Sequence, residues 1–242
     1  MTAPLRVLCL DIEGGHGGSS RSLFFSLKHM ARARIEPTVV CRRGGEIVER
    51  YRDLGIAVHV MPHLPKANPV PRLSRNLLQA VDFARDAWRH GVDAHALDTL
   101  VGGSDLVHFN HEGFAWLAGL IRRRHARPAT MHLRTNTADT PVTRWQARVI
   151  SAAVDAVVCI TANEETTFRA HGGTAPAQVI FNIAEPPMEP TPIDALAGEA
   201  RFVVSMLANA AVVRGTDRVI ELARVLRARG RRDILFAIAG DT

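Results

Sequence analysis

Two imidazoles, His108 and His132, stand at the ends of apolar runs, and a third, His111, lies three residues past the first of them. Open α/β sheets receive ligands beyond the carboxyl ends of their strands, so all three are placed near one sheet edge. His132 is followed by Arg134 and Asn136. Such a trio suits a phosphorylated or hydroxylated ligand, or else the histidine only satisfies backbone carbonyls. The stretch His108-Phe109-Asn110-His111-Glu112 invites a metal, but no cluster of Cys or Asp accompanies it, and no metal or resident cofactor is expected. A second group of candidates is the turn with Gly14, Gly15, Gly17 and Gly18, followed by Ser19 and Ser20 where a helix begins. Its backbone N–H groups could meet an anion, or its glycines could simply supply the positive φ of a tight turn. A third is Arg214-Gly215-Thr216-Asp217. There a cation and a flexible residue open a helix, which suits a diphosphate, unless Thr216 or Asp217 is a helix cap and Arg214 is merely solvated. No pair of carboxylates is spaced for a double displacement of the glycosidase kind.

The elements that must hold these groups alternate. Leu5–Ile12 reads as a strand, a helix follows the glycine turn, and Pro37–Cys41, Glu46–Leu54 and Ile56–Met61 continue as strand, helix and strand. Residues 62–75 carry four prolines and read as a surface excursion before a helix from Asn76 to about His90. Strands are expected at Asp105–Phe109, Pro128–Leu133, Ala156–Ile160 and Gln178–Phe181, with helices at Phe114–Arg124 and Thr143–Val154. This pattern specifies a Rossmann-like, doubly wound parallel sheet, in which the apolar run Leu5–Ile12 is expected to be a strand covered on both faces. The proline-rich residues 184–200 read as a linker between a first domain, 1–183, and a strand–helix–strand unit, 201–242. That unit reads as the start of a second Rossmann-like domain which stops at Thr242, so part of any site is expected to be missing.

Composition narrows the class. The chain has 242 residues, 47% of them hydrophobic and 22% charged, as in a globular protein. Its net charge of +6 favours anionic partners. Nucleic acid is not expected among them, since aromatic residues hardly interleave with the basic ones. Arg122-Arg123-Arg124 and the arginines of 227–232 fall at helix ends, where cations offset the macrodipole. Cys9, Cys41 and Cys159 lie in apolar runs without metal-type spacing and read as reduced core residues. With neither a signal peptide nor a membrane span, the expectation is a cytoplasmic chain that can contact the inner face of an anionic membrane peripherally.

Taken in order, several segments resemble the retaining GT-B glycosyltransferases of family 4. Gly17-Gly18-Ser19-Ser20-Arg21-Ser22-Leu23 is similar to that family's glycine-rich turn and first helix, and Asp105-Leu106-Val107-His108 to its "D-hv-H" strand. Met131-His132 resembles its strand-end histidine, Val154–Thr161 its "aDavvavS" strand before a helix, and Val179-Ile180-Phe181-Asn182 its "viPNG" segment. Arg214-Gly215-Thr216-Asp217 falls where the family has "KGxD". Asn209 stands where many members carry an arginine, Arg214 replaces a lysine, and Ile183 replaces a glycine. The family's two-glutamate motif belongs downstream of Gly240-Asp241.

The resemblance implies transfer of a sugar from a nucleoside-diphosphate donor to a glycan or lipid-linked acceptor, as in polysaccharide biosynthesis. It implies Asn209, Arg214 and Gly215 on the donor diphosphate and His132 against the donor sugar. It places Gly17, Gly18 and Ser19 close to a ligand, and leaves His108, His111 and Arg134 as acceptor-side candidates. Two other readings share the architecture: a GT-B sugar-nucleotide epimerase, and a truncated domain that only binds.

Overall fold

The computed structural model describes residues 3–12, 14, 17–30, 34–67, 73–185, 198, 200–208 and 214–239, with the backbone alone for 73–76. It divides into two compact units, Met1–Ala184 and Glu185–Thr242. The first unit is a seven-stranded parallel sheet built from β1 (Leu5–Asp11), β2 (Ile35–Cys41), β3 (Ala57–Val60), β4 (Leu106–Phe109), β5 (Ala129–Leu133), β6 (Ala156–Cys159) and β7 (Ala177–Val179). Their order across the sheet is β3-β2-β1-β4-β5-β6-β7. The chain builds outward from β1 in one direction and then returns to build outward in the other. The seam between β1 and β4 is therefore the topological switch point, where such sheets open a crevice at their carboxyl edge.

Two cores face each other across the sheet. Val7, Cys9, Val39 and Cys41 pack on one face beneath α1 (Gly18–His29) and α2 (Glu46–Asp53), through Leu23, Leu27, Ile47, Val48 and Tyr51. Leu8, Leu10, Val107, Phe109, Met131 and Val157 pack on the other beneath α3 (Leu73–Gly103), α4 (Ala115–Arg124), α5 (Pro141–Ala153) and α6 (Ala162–Ala170). The three cysteines are buried and free.

Coverage varies along the sheet: β1 is buried on both faces over Val7–Asp11, as its apolar run predicts. Along β4, β5 and β6, buried residues alternate with residues of intermediate exposure. The half-covered positions, His108, Thr130, His132 and Val158 among them, lie on the α1 and α2 side of the sheet. Leu133 is the last strand residue, so the helix-sparse part of that face leads directly to the carboxyl edge.

One helix departs from the sequence reading, and another was expected only from the family resemblance. Instead of stopping near His90, α3 runs to Gly103 through Gly91, because Leu97 and Val101 continue its buried stripe into the sheet core. Packing of that stripe outweighs the roughly 1 kcal/mol cost of an internal glycine. Between β6 and β7, α6 has no apolar periodicity to announce it, and is held by Phe168 and by Thr161, which accepts a hydrogen bond from the Asn163 N–H. The opposite face of α3 is apolar and open. Leu77, Val81, Trp88 and Val92, spaced at helical intervals, are 63%, 66%, 83% and 79% exposed. Among the described residues no helix is long and apolar enough to cross a membrane.

The second unit pairs β8 (Phe202–Leu207) with β9 (Ile234–Ala239) in parallel, joined by the helix Thr216–Ala228, here α7. None of the described residues of α7 is buried.

Candidate functional site

At the carboxyl edge of β1 the strand ends on Asp11, a fully buried carboxylate facing the α1 side. The Ser20 hydroxyl donates to its Oδ1 at 3.0 Å, and Asn110 Nδ2, from the residue just past β4, donates to the same oxygen at 3.1 Å. Asn110 Nδ2 also reaches the Ser19 carbonyl at 3.0 Å. The buried Tyr51 hydroxyl lies between the Asp11 Oδ2 and the Ser20 carbonyl, at 3.4 and 3.2 Å. Burial and the neighbouring Asp11 charge both push that phenol upward, so it remains a proton donor. One carboxylate thus fixes the start of α1 to the switch point.

Arg134 extends the network. Its Nε donates to the Asn110 carbonyl at 2.8 Å, one Nη bonds the Asn110 side chain, and the other reaches Asn182 Oδ1 at 3.3 Å. Asn182 in turn accepts from the Ser22 hydroxyl at 2.6 Å. Burial lowers the guanidinium to about 10, against the opposing pull of Asp11 and Glu112, so it stays charged near neutrality. Arg134 is consequently a clamp joining the ends of β4 and β5 to the segment past β7. Its donors are largely spent within the protein.

His108 and His132 are brought together. They are two registers apart on neighbouring strands and share one face, with His108 opposite Thr130. His108 Nε2 lies 3.0 Å from His132 Nδ1, and His108 Nδ1 lies 2.8 Å from the Thr130 hydroxyl. A single proton must sit between the two rings if both are neutral. Desolvation first, and the Arg134 charge second, lower His108 to about 4 and His132 to about 2, where the neighbouring ring also contributes. Both are therefore neutral at physiological pH. His132 Nε2 has no hydrogen-bond partner among the described residues.

His111 is not part of this pair. It turns back on its own backbone, where Nδ1 accepts from the Gly113 N–H at 2.9 Å and caps the short helical turn Glu112–Phe114. Glu112, buried beside it, accepts from the Arg134 backbone N–H at 3.0 Å and from the Thr135 hydroxyl.

At its described glycines the turn does not use positive φ. Gly14, Gly17 and Gly18 are not among the positive-φ glycines, and Gly15 lies outside the described residues. A Cβ on Gly14 would fall 1.6 Å from the Arg43 carbonyl oxygen, so this glycine is needed where two loops touch. Gly18 meets nothing within 4 Å and begins α1. Gly17 precedes it with φ −56°, and neither a side-chain cap nor an acidic first-turn residue serves that terminus. Among the described residues no side chain serves the first-turn N–H groups of α1, the kind of terminus that suits an anion.

In the second unit Gly215 has φ +82° and is itself the cap of α7, so neither Thr216 nor Asp217 caps it as the sequence alternative had it. Arg214 is exposed beside it. Asn209 lies outside the described residues. The arginines that close α4 are surface groups, with Arg122 and Arg124 paired to Asp155 and Asp98 at 3.1 and 3.3 Å. No group of three or more metal-ligating side chains occurs among the described residues.

The sequence reading missed Asp11, Asn110 and Thr130. A signal existed for the first two: Asp11 is the polar residue that closes the buried apolar strand β1, and Asn110 the one that directly follows β4, on either side of the switch point. Thr130 and His132 alternate along β5, so register with His108 was needed to see them as partners.

The sequence profile of Glycosyltransferase Family 4 matches residues 16–185. No curated protein matches the chain in sequence. Among solved structures, HepE of Anabaena in complex with UDP and glucose superposes with a TM-score of 0.64 at 15% identity, over 97% of this chain and 70% of HepE. A UDP-N-acetylglucosamine 2-epimerase gives 0.54 at 13% identity, over 96% and 63% of the two chains. The lipopolysaccharide outer core galactosyltransferase WaaB gives 0.52 at 11% identity, over 96% and 67%. These likenesses establish the GT-B type of Rossmann-like fold.

Proposed function

The chain belongs to Glycosyltransferase Family 4, and from that premise we propose that it transfers a hexose-type sugar from a nucleoside-diphosphate donor to a glycan or lipid-linked acceptor, with retention of anomeric configuration. The observation that carries the reading is the neutral His108–His132 pair, whose outer nitrogen has no partner among the described residues on the half-covered sheet face leading to the carboxyl edge. A neutral imidazole there can exchange hydrogen bonds with sugar hydroxyls without placing a fixed charge against the ring. In this reading His132 orients the donor sugar, and the open backbone of Gly17, Gly18 and Ser19 admits the ligand to the start of α1.

Asn209, Arg214 and Gly215 neutralise the departing diphosphate, an electrostatic contribution realised mainly in the transition state. The complexes of HepE with UDP, glucose and UDP-glucose support a uridine nucleotide as the donor's leaving group. On the acceptor side Arg134 and His111 act as positioning residues, because both are engaged within the protein, and His108 acts through His132. The basic chain and the open apolar stripe of α3 support peripheral contact with an anionic lipid surface.

Calorimetric titration with UDP, GDP and their sugars, on the wild type and on Arg214→Ala, tests the donor reading. Binding that weakens about 10- to 100-fold in the variant, the value of a charged hydrogen bond, is expected. Absence of any nucleotide binding by a folded chain would overturn it. The epimerase reading, which shares this fold, is separated by whether release of nucleoside diphosphate depends on an added acceptor.

A further inference from the structure

A cavity of about 440 Å³ lies between α3, α4 and α5, within the roughly 300–1,000 Å³ usual for small-molecule sites. Its walls include Phe83, Trp116, Val142 and Trp145, with Gly113 and Gln146 at the end nearest the polar edge, and among the described residues the lining carries no charge. Phe83 and Trp116 meet edge to face, their centroids 5.4 Å apart, so one wall is a fixed aromatic surface. Half of Trp145 and half of Val142 remain exposed.

The groove is joined to the candidate site through the turn Glu112–Phe114. Gln146 Nε2 donates to the Glu112 carbonyl at 2.9 Å, and the Gly113 carbonyl accepts from the Ala67 N–H at 2.9 Å. The Glu112 side chain holds the Arg134 backbone N–H. A molecule lying in the groove thus ends where the polar residues past β4 and β5 begin. Outside the groove, Arg148 is exposed one turn along α5 from Trp145 and has no ion-pair partner among the described residues. With the net charge of +6, this complements an anionic head group. The open stripe of α3 lies on the far side of that helix from the groove wall formed by Phe83.

Resting on the transferase reading above, we propose that this groove holds the hydrocarbon chain of a lipid-borne acceptor with an anionic head group, and so selects the acceptor class. Burying each methylene contributes about 0.8 kcal/mol, which tightens binding about fourfold per carbon until the groove is full.

The test is calorimetric titration with n-alkyl phosphates of four to ten carbons, below their micelle concentrations, on the whole chain and on Ala80→Trp. Ala80 lines the groove from an exposed position of α3, so the larger side chain fills the space without entering the core. Circular dichroism and the nucleotide-sugar titration are run on the same samples. Affinity that climbs about fourfold per methylene in the wild type and is flat in Ala80→Trp is the expected result. A flat series in the wild type, or an unchanged climb in the variant, would overturn the groove while leaving nucleotide binding to stand on its own. Alkyl binding by a chain that ignores every nucleotide sugar would overturn the acceptor role together with the transferase reading. Sedimentation that shows a dimer, separated by Ala80→Trp, would assign the groove to a second copy and overturn the proposal.

Discussion

The charge state of the His108–His132 pair sets a stability window. In the fold His108 is lowered to about 4 and His132 to about 2, whereas unfolded histidine titrates near 6.5. Below pH 6.5 the unfolded chain takes up protons that the folded chain refuses. Stability contributed by the neutral pair is therefore complete above that pH and is lost as pH falls toward 4, by up to about 1.4 kcal/mol per pH unit for each ring. Below about 4 His108 protonates in the fold as well, and its share of the slope ends. Urea midpoints between pH 7.5 and 4.5 should fall more steeply for the wild type than for His132→Asn, whose difference isolates one ring from the other histidines. Equal slopes would show that the pair titrates as in water.

Among the elements, α3 depends on one buried ion pair. Arg42, just past β2, bonds Asp86 on α3 and donates through Nε to the Leu64 carbonyl at 2.9 Å, and both side chains are buried. Asp86→Ala leaves an unpaired guanidinium in the interior and should cost about 3–5 kcal/mol, whereas Arg42→Met with Asp86→Leu should recover most of that loss, as read by denaturant unfolding. This tie could not be read from the sequence. Arg42 follows an apolar strand as any loop residue might, and Asp86 sits in a helix rich in charge. The strands were legible because their apolar runs are continuous, and α1, α2, α4 and α5 because their buried positions repeat at helical spacing. The C-terminal half of α3 was not, and α6 was foreseen only through the family resemblance, not from its own periodicity. Gly91 looks like a stop until Leu97 and Val101 are seen to share one buried stripe, and α6 contributes little apolar surface beyond Phe168. In the site, strand-end histidines stood out by type, while Asp11 and Asn110 needed the strand order that makes β1 and β4 neighbours.

At the scale of the whole molecule, basic charge and an open apolar stripe act together. Leu77, Val81, Trp88 and Val92 present one face to solvent, and Arg89 on the same helix is exposed. Under the proposed peripheral contact, such a helix would lie in a lipid interface with its cations among the head groups. Co-sedimentation with phosphatidylglycerol vesicles should exceed that with phosphatidylcholine vesicles and weaken as salt is raised, and Trp88→Glu should reduce it by about tenfold or more. Binding indifferent to lipid charge and to Trp88 would mean that the stripe serves another surface.

The hydrogen bond between the two imidazoles has one further consequence. When the Thr130 hydroxyl gives its hydrogen to His108 Nδ1, the shared proton belongs to His108 Nε2, and His132 turns an N–H outward. When Thr130 instead accepts, the protons shift along the chain and His132 presents a lone pair. Passing from one arrangement to the other changes the tautomer of both rings, with one proton leaving His132 Nε2 and one entering at the Thr130 end, and it reverses the polarity of the outermost nitrogen. The ring can greet a sugar hydroxyl as donor or as acceptor without a heavy atom leaving its place.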